Sequence, residues 1–326
     1  MRMRRRTLLQ GSLAAGALAA CGRAPRGAIG ADRRPARSRV AVLSAASYAG
    51  DLVGLLRSGL REWRLKLRGL RVVLKPNFVE FDPKGVINTH PLLVAAAAEA
   101  FLMEGAREVV VAEGPGHRRD NEYILTASGL DAVLREKRIH YVDLNFDHSQ
   151  FTALGSRFTE FGSLYLPRTV MDAGLFVSMP KLKTHHWAGV TLSMKNLFGT
   201  VPGAIYGWPK NPLHWAGIDE SIVDLASTIP SRRFAIVDGI VGMEGNGPIQ
   251  GDARSAGVIV MGEDFVSVDA TCAGLMGIDP AKIRHIAWAG EFLGNMIPER
   301  IDQIGESPEG MRTEFKLLPQ WESIRL

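Results

Sequence analysis

The sequence predicts an α/β protein with a largely parallel sheet and helices on both of its faces. Short apolar runs rich in β-branched residues alternate along the chain with longer segments of helical periodicity. The runs are apolar almost throughout, which is typical of strands that are buried on both faces. This alternation favours helices packed against both sides of one sheet, and it also allows two α/β halves around one crevice.

Seven short apolar runs are the strand candidates. In chain order they are residues 40–43, 72–74, 109–112, 139–142, 175–178, 234–237 and 258–261. Their length and their content of β-branched residues distinguish them from helices.

Seven longer segments are the helix candidates. They are residues 51–60, 92–103, 130–137, 190–197, 218–228, 266–276 and 282–293. Pro91 suits the first turn of the second helix, and Gly199 and Gly277 suit the ends of the fourth and sixth. Asp264 fits an N-terminal cap of the sixth helix. Residues 145–161 carry the weakest pattern, which is compatible with a loop or a hairpin between two halves.

The positive charge of the chain is concentrated at its N-terminus. The 326 residues contain 39 Lys and Arg and 34 Asp and Glu, a formal net charge of +5. Residues 1–39 hold ten of the arginines and one acid, Asp32, so the remainder is mildly acidic. It has no basic stripe and no nucleic-acid-binding motif, and we expect no nucleic-acid partner.

The first 21 residues resemble an export signal. Arg4-Arg5-Arg6-Thr7-Leu8-Leu9 is a twin-arginine pattern ahead of a short apolar run, and Leu18-Ala19-Ala20-Cys21 is similar to a lipobox. We expect export by the twin-arginine machinery and a periplasmic lipoprotein that is anchored in the membrane through a lipid on Cys21. Simple cleavage after Ala20 and a disordered basic tail are the alternatives.

The same pattern sets the expected domain organisation. Residues 1–21 would be the signal and anchor, and residues 22–38 a flexible tether. Residues 39–326 would form a single α/β domain, with sub-halves at about 39–150 and 160–326 as an open alternative.

Cysteine usage limits the cofactors that this chain could hold. Cys21 and Cys272 are the only cysteines. With Cys21 lipidated, no intrachain disulfide and no Cys-ligated iron–sulfur cluster can form, whereas a divalent metal on other ligands stays possible in principle. Cys272 lies in an apolar helical pattern and is expected in the core.

The most informative stretch is residues 179–199, directly after a predicted strand. Its polar side chains are Lys181, Lys183, His185, His186, Lys195 and Asn196. Such groups are costly to bury without a partner, and an anionic or metal-bearing ligand would supply one. A solvated loop is the alternative, although the interleaved Pro180, Trp187 and Phe198 favour a packed segment.

Four segments of the chain resemble one known family. They are Pro-Lys-Leu-Lys-Thr-His with Lys-Asn-Leu-Phe-Gly in 179–199, Val-Leu-Lys-Pro-Asn-Phe at 73–78, Asn-Thr-His-Pro at 88–91, and the glycine-rich segment 236–248. In this order they are similar to the family known as domain of unknown function 362, over roughly residues 40–295. Some members of the family carry an appended ferredoxin-like cluster segment, and this chain has no such segment. The resemblance therefore implies an iron–sulfur redox partner as one possibility for this chain.

Polar residues follow several predicted strands at the point where each strand ends. Lys75 and Asn77 follow one strand, Glu113 and His117 another, and residues 181–185 a third; Asp238, Glu244 and Asn246 follow a fourth in what looks like a glycine-rich loop. Ligand crevices of open parallel sheets lie at the carboxyl ends of the strands. The sequence therefore predicts one crevice filled from several loops.

Each candidate residue has an expected role. The ligand-binding candidates are Lys75, Asn77, Lys181, Asn196, Asp238, Glu244 and Asn246. His185, Lys195 and Lys183 are the catalytic candidates, since clustered lysines lower one another's pKa and one could serve as a base or a Schiff-base nucleophile. The metal-ligand candidates are Glu113, His117 and His214, each of which could instead belong to an ordinary polar turn or a packed connection.

The spacing of these residues makes two geometric predictions. In an extended segment Lys181, Lys183 and His185 share one face, and in a helix Thr191 and Lys195 share another. The aromatics of Tyr206-Gly207-Trp208 and His214-Trp215 could form a lid or a stacking wall. Asp269 is a further crevice candidate.

The expected function is enzymatic action on a small anionic molecule. Neither a Gly-x-Ser-x-Gly elbow nor a P-loop occurs, which disfavours serine hydrolases and P-loop nucleotide hydrolases. A binding or delivery protein for an anionic cofactor or metal complex, and a redox accessory, are the alternatives.

Overall fold

A ten-stranded mixed sheet forms the centre of the molecule. The structure is a computed structural model, and it describes residues 27–28, 32–116, 121–230 and 232–326. Cys21, His117 and the predicted export signal lie outside the described residues.

Fourteen strands occur within the described residues. They are β1 Gly27–Ala28, β2 Ser38–Ser44, β3 Arg71–Pro76, β4 Glu108–Glu113, β5 His140–Asp143, β6 Ser149–Ala153, β7 Ser156–Arg157, β8 Ser163–Pro167, β9 Leu175–Met179, β10 Lys181–His185, β11 Gly189–Thr191, β12 Arg233–Asn246, β13 Gln250–Gly262 and β14 Ile301–Gly305.

Ten α-helices occur in the same part of the chain. They are α1 Leu52–Glu62, α2 Pro91–Met103, α3 Asn121–Ala127, α4 Leu130–Glu136, α5 Arg168–Met171, α6 Gly203–Tyr206, α7 Asn211–Trp215, α8 Ile218–Thr228, α9 Phe265–Leu275 and α10 Arg284–Gly290. Asp51 and Asp264 cap α1 and α9 by accepting hydrogen bonds from backbone N–H groups, and Pro91 starts α2. None of the described helices is long and apolar enough to cross a bilayer.

The strand order of the sheet is β14-β2-β13-β12-β9-β3-β4-β5, and the short pair β10-β11 joins it through β12. Pairing is parallel except where β13 meets β2 and β12 and where β10 meets β11. The prediction of an α/β fold with a largely parallel sheet is confirmed. Strands from both of the sub-halves considered above, residues 39–150 and 160–326, belong to this one sheet, as β4 and β12 show.

Two apolar layers cover the two faces of the sheet, because successive side chains of a strand point to opposite faces. Val72 and Leu74 of β3 pack with α1, α2 and α4 on one face. Val73, between them, packs with α8, α9 and α10 on the other. All seven predicted strands are present in this sheet.

One predicted helix is wrong. Residues 190–197 contain the end of β11 and the start of a 3-10 helix, Lys195–Thr200, so Thr191 and Lys195 do not share a helical face. The apolar spacing that suggests a helix arises because Val190, Leu192 and Met194 are all fully buried. Gly199 lies inside the 3-10 helix, whereas Gly277 follows α9 with φ +74°, as predicted.

Two other segments also refine the predictions. Residues 238–246, expected as a glycine-rich loop, belong to the long strand β12. Residues 145–161 contain β6 and β7, and β6 pairs antiparallel with β8, which agrees with the hairpin alternative.

Candidate functional site

A cavity of about 840 Å³ lies at the carboxyl ends of β3, β4 and β10. Of the ionisable side chains that line it, four are lysines, three are histidines and one is a carboxylate. They are Lys75, Lys183, Lys195, Lys210, His185, His186, His214 and Glu113. The cavity is therefore strongly biased towards positive charge.

The floor of the cavity is a buried ion pair held by asparagines. The Lys75 ammonium group lies 2.8 Å from the Glu113 carboxylate and donates to Asn196 Oδ1 at 3.1 Å. Asn196 Nδ2 donates to the Lys75 carbonyl and to Ser178 Oγ, both at 3.0 Å, which fixes it between β3 and β9. Burial lowers the pKa of Lys75, and Glu113 partly offsets that effect.

Lys183 is a fully buried ammonium group without a carboxylate partner among the described residues. Its Nζ donates to the carbonyl oxygens of Ile87 at 2.8 Å and Pro248 at 3.2 Å. Burial lowers its pKa well below the ordinary value, and the charges of Lys181 and Lys195 lower it further. An anion in the cavity would reverse part of this shift.

Lys195 begins the 3-10 helix, and a carboxylate fixes the backbone just before it. Asp269 accepts hydrogen bonds from Ser193 N at 2.7 Å and Met194 N at 2.9 Å. The Lys195 Nζ lies 3.8 Å from the centre of the Phe198 ring. Within the described chain it has no hydrogen-bond or ion-pair partner, and burial, with the charge of Lys75, lowers its pKa to about 7.

Lys210 belongs to the site but is absent from the sequence-based candidates. Its Nζ donates to the carbonyl oxygens of Gly114 at 2.6 Å and Phe198 at 3.1 Å, and burial lowers its pKa to about 7. Its backbone has φ +66°, which is uncommon for a residue other than glycine and frequent at functional sites. The available signal is a lysine between Pro209 and Pro212, in the connection that also holds the predicted aromatic wall and the metal-ligand candidate His214.

The three histidines differ in their hydrogen bonding. His185 Nδ1 accepts from the backbone N–H groups of Trp187 at 3.0 Å and Ala188 at 3.2 Å. The neutral ring therefore carries its hydrogen on Nε2, and burial together with Lys195 lowers the His185 pKa well below its ordinary value. His186 and His214 place Nδ1 against carbonyl oxygens of Gly247 and Lys210, so these two Nδ1 atoms donate.

Two buried oxygens in the lining have no hydrogen-bond partner among the described residues. They are Asn77 Oδ1 and Thr191 Oγ1. Only 6% of the surface of Asn77 and 3% of that of Thr191 is exposed. Leaving such groups without a partner is unfavourable by about 1–3 kcal/mol each, and a ligand or water in the cavity would satisfy them.

Three predicted ligand-binding residues do not line the cavity. Lys181 forms a separate buried ion pair with Asp238 at 2.7 Å, and Tyr48 donates to the same carboxylate at 2.7 Å. Glu244 accepts from the backbone N–H of Lys316 at 2.9 Å. Asn246 does lie at the cavity, where it donates to Gln250 at 3.0 Å. The sequence candidates therefore divide into one convergent set and one structural cluster.

Of the three metal-ligand candidates the structure describes Glu113 and His214, and within the described residues neither belongs to a group of ligands that could hold a metal ion. Glu113 accepts from Lys75 and from the backbone N–H groups of Phe78 and Gly114, so its oxygens are occupied. His117 lies outside the described residues. Among the described residues, no three His, Cys, Asp or Glu side chains are grouped to hold a metal ion.

Aromatic side chains form the outer part of the cavity. His214 contacts the rings of Phe198 and Trp187 at centre distances of 5.4 and 5.7 Å. Trp187 and Trp215 line the cavity with 61% and 79% of their surface exposed. Of the predicted aromatic wall, His214 and Trp215 are present here, whereas Tyr206 and Trp208 are not in the lining.

Two comparisons of sequence identify relatives. A family model described as Domain of unknown function (DUF362) matches residues 72–274. The thylakoid-associated protein sll1697 of Synechocystis sp. is 32% identical over 272 residues, which cover 78% of this chain and 79% of that protein.

Two solved structures are similar at low identity. A structural-genomics crystal structure of a Thermotoga maritima protein has a TM-score of 0.37 and 15% identity, and covers 71% of this chain. The lactate racemase apoprotein of Thermoanaerobacterium thermosaccharolyticum has a TM-score of 0.42 and 15% identity, and covers 77% of this chain. The matches span 59% and 61% of those two chains, respectively.

Proposed function

The chain belongs to the DUF362 family, and we propose that its cavity binds a small organic anion and exchanges a proton with it through Lys195. The observation that carries this proposal is the imbalance of charge in the lining. Four lysines face one carboxylate, Glu113, and that carboxylate is paired with Lys75. An anionic guest supplies the counter-charge that the remaining lysines lack.

Lys195 is the best candidate for moving a proton. Its pKa of about 7 means that the charged and neutral amines are both populated near neutral pH, as an efficient general acid or base requires. The expected alternative, His185, has Nδ1 occupied by two backbone N–H groups. His185 therefore acts as a hydrogen-bond donor through Nε2, and Lys183 as an anion-binding group.

Sulfate titration tests the binding part of the proposal, since sulfate keeps its charge across the working pH range. We expect sulfate to raise the melting temperature of the wild type and to bind measurably by calorimetry at pH 6. Lys183→Met and Lys195→Met should each weaken sulfate binding by about tenfold or more, the loss of one charge-assisted hydrogen bond. Lys66→Met, at an exposed lysine outside the lining, is the matched control.

A carrier and an enzyme differ at Lys195. In an enzyme, Lys195→Met should lower the turnover of the substrate anion by more than the loss of affinity explains. In a carrier, which turns over no anion, Lys195→Met should lower affinity only. Absence of sulfate binding to the wild type, or equal binding by Lys183→Met and Lys66→Met, would reject the anion site.

We also propose that the protein is exported by the twin-arginine route and anchored through a lipid on Cys21. The Synechocystis relative is named as a thylakoid-associated protein, and lipid attachment would give this chain a membrane association as well. Mass spectrometry of the mature protein should find an acylated N-terminal Cys21. Cys21→Ala should leave the protein in the soluble fraction; an unmodified Cys21 in the mature wild type would contradict the anchor.

A further inference from the structure

The cavity has two chemically different ends. The inner end contains the ammonium groups of Lys75, Lys183, Lys195 and Lys210. The outer end is bordered by the exposed rings of Trp187 and Trp215, and the Trp187 ring contacts His214. A ligand that fills the space therefore meets cations at one end and aromatic surfaces at the other.

The two indoles are unusual because they are exposed beside a cavity. Trp187 and Trp215 keep 61% and 79% of their surface in solvent. Large apolar surface at the mouth of a cleft marks a binding site, since covering it with a ligand is favourable. The backbone N–H of Trp187 donates to His185 Nδ1, and the Trp187 ring packs edge-on against His186 and contacts His214.

Polar groups between the two ends fit the same ligand. Asn77 Oδ1 and Thr191 Oγ1 are buried in the lining and lack partners among the described residues. They would accept from, or donate to, polar atoms along the guest. A volume of about 840 Å³ is far larger than an inorganic ion needs and falls in the range of sites for organic ligands.

We infer that the anion bound by this cavity carries an aromatic ring, with its acid group on the inner lysines and its ring against Trp187 and Trp215. The ligand class is thus an aromatic phosphate or carboxylate. This inference rests on the proposed anion-binding function and adds the nature of the uncharged part of the ligand.

A pair of sulfonates isolates the ring. 1-Naphthalenesulfonate and methanesulfonate carry the same non-titrating charge and differ in the aromatic group. We expect 1-naphthalenesulfonate to bind at least tenfold more tightly by calorimetry at pH 6. The double variant Trp187→Ala, Trp215→Ala should lose this preference, because the ring has no indole left to stack on, and should keep its affinity for sulfate within about twofold, because sulfate has no ring.

The control is Phe151→Ala, which removes an equally exposed ring that is outside the lining. It should keep both the preference for the ring and the affinity for sulfate. Equal affinities of the two sulfonates for the wild type would overturn the inference, as would a preference that survives in the double tryptophan variant. Failure of sulfate itself to bind would instead reject the proposed function, so the two failures are distinguishable.

Discussion

The Lys75 ammonium group lies 2.8 Å from the Glu113 carboxylate, and both side chains are 1% exposed. A buried pair of this kind stabilises little against an apolar replacement, but removing one partner leaves the other charge uncompensated. Glu113→Gln should therefore destabilise the protein by about 3–5 kcal/mol in urea unfolding. Lys75→Met combined with Glu113→Gln should recover part of that loss; a double variant less stable than Glu113→Gln alone would contradict this account.

Gly199 leaves room for the same ion pair. A Cβ at this position would collide with the Glu113 carboxylate and the Lys75 ammonium group. Gly199→Ala should destabilise by about 1–3 kcal/mol through overpacking and should weaken sulfate binding. Gly274→Ala, on α9, is the matched control. A Cβ at Gly274 would meet nothing within 4 Å, so this substitution should be neutral or stabilising. Similar unfolding midpoints for both variants would argue against the close approach.

Sulfate affinity should depend on pH through Lys195 and Lys210, whose pKa values are about 7. Both lysines are charged below this pH and lose their protons above it, so affinity should fall about tenfold or more between pH 6 and pH 9. At pH 8, binding should take up protons, which calorimetry in buffers of different ionisation enthalpy measures. A sulfate affinity that rises with pH would contradict this prediction. Added salt should weaken binding as well.

The same pKa shift predicts how Lys195→Met changes stability. A lysine whose folded pKa is lowered destabilises the fold fully below that pKa, and this penalty is lost as the pH rises towards the ordinary lysine value. Lys195→Met removes the penalty, so its gain in free energy of unfolding should be larger at pH 6 than at pH 9. Urea unfolding at both pH values measures the difference, with Lys66→Met as the control at a lysine outside the cavity lining.

Asp269 should act on the site through the backbone that it holds. Asp269→Ala leaves Ser193 N and Met194 N without an acceptor, which should cost about 2–5 kcal/mol and displace Lys195. Asp269 lies on α9, and Asp264 caps the start of that helix outside the cavity lining. Asp264→Ala removes a comparable set of buried hydrogen bonds. Both variants should lose stability, but sulfate affinity should fall in Asp269→Ala only. Equal affinities would show that Asp269 does not position the site.

The Lys181–Asp238 pair should behave as structure rather than site. Asp238→Asn weakens the compensation of a buried ammonium group and should destabilise by about 3 kcal/mol. Because neither residue lines the cavity, sulfate affinity of the folded variant should stay within about threefold of the wild type. A larger loss would return both residues to the binding site.

Sequence patterns predicted the sheet well because buried strands such as β3 and β9 are apolar on both faces, a strictly local signal. They failed where a tertiary contact decides the conformation. Residues 189–191 are extended because they pair with β10, a partner that periodicity does not reveal. The glycines of β12 looked like turn residues, yet a Cβ on Gly242 would meet the Leu182 carbonyl and the Phe315 ring. Gly242 is needed for close packing within the strand.

The site was predictable in part for the same reason. Lys75, Lys183, Lys195 and Asn196 could be found, since polar groups after buried strands of a parallel sheet converge at one edge. Lys181 and Lys183 share a strand face, but the pairing of β10 with β12 shifts its register between them, so they meet different partners. Lys210 was missed because a long connection, rather than a strand, brings it to the cavity.

The position of β14 has a practical consequence. It is an edge strand three places from β12, the strand that supplies Asn246 to the cavity lining, which is about 14 Å at the usual strand spacing of about 4.8 Å. Cys272 is the one cysteine of the described residues and is fully buried, with its thiol pKa raised by burial, so it resists alkylation. In a protein whose Cys21 is acylated or replaced by alanine, Gln303→Cys on β14 would thus provide a selectively reactive handle for a dye or a resin, remote from where a guest enters.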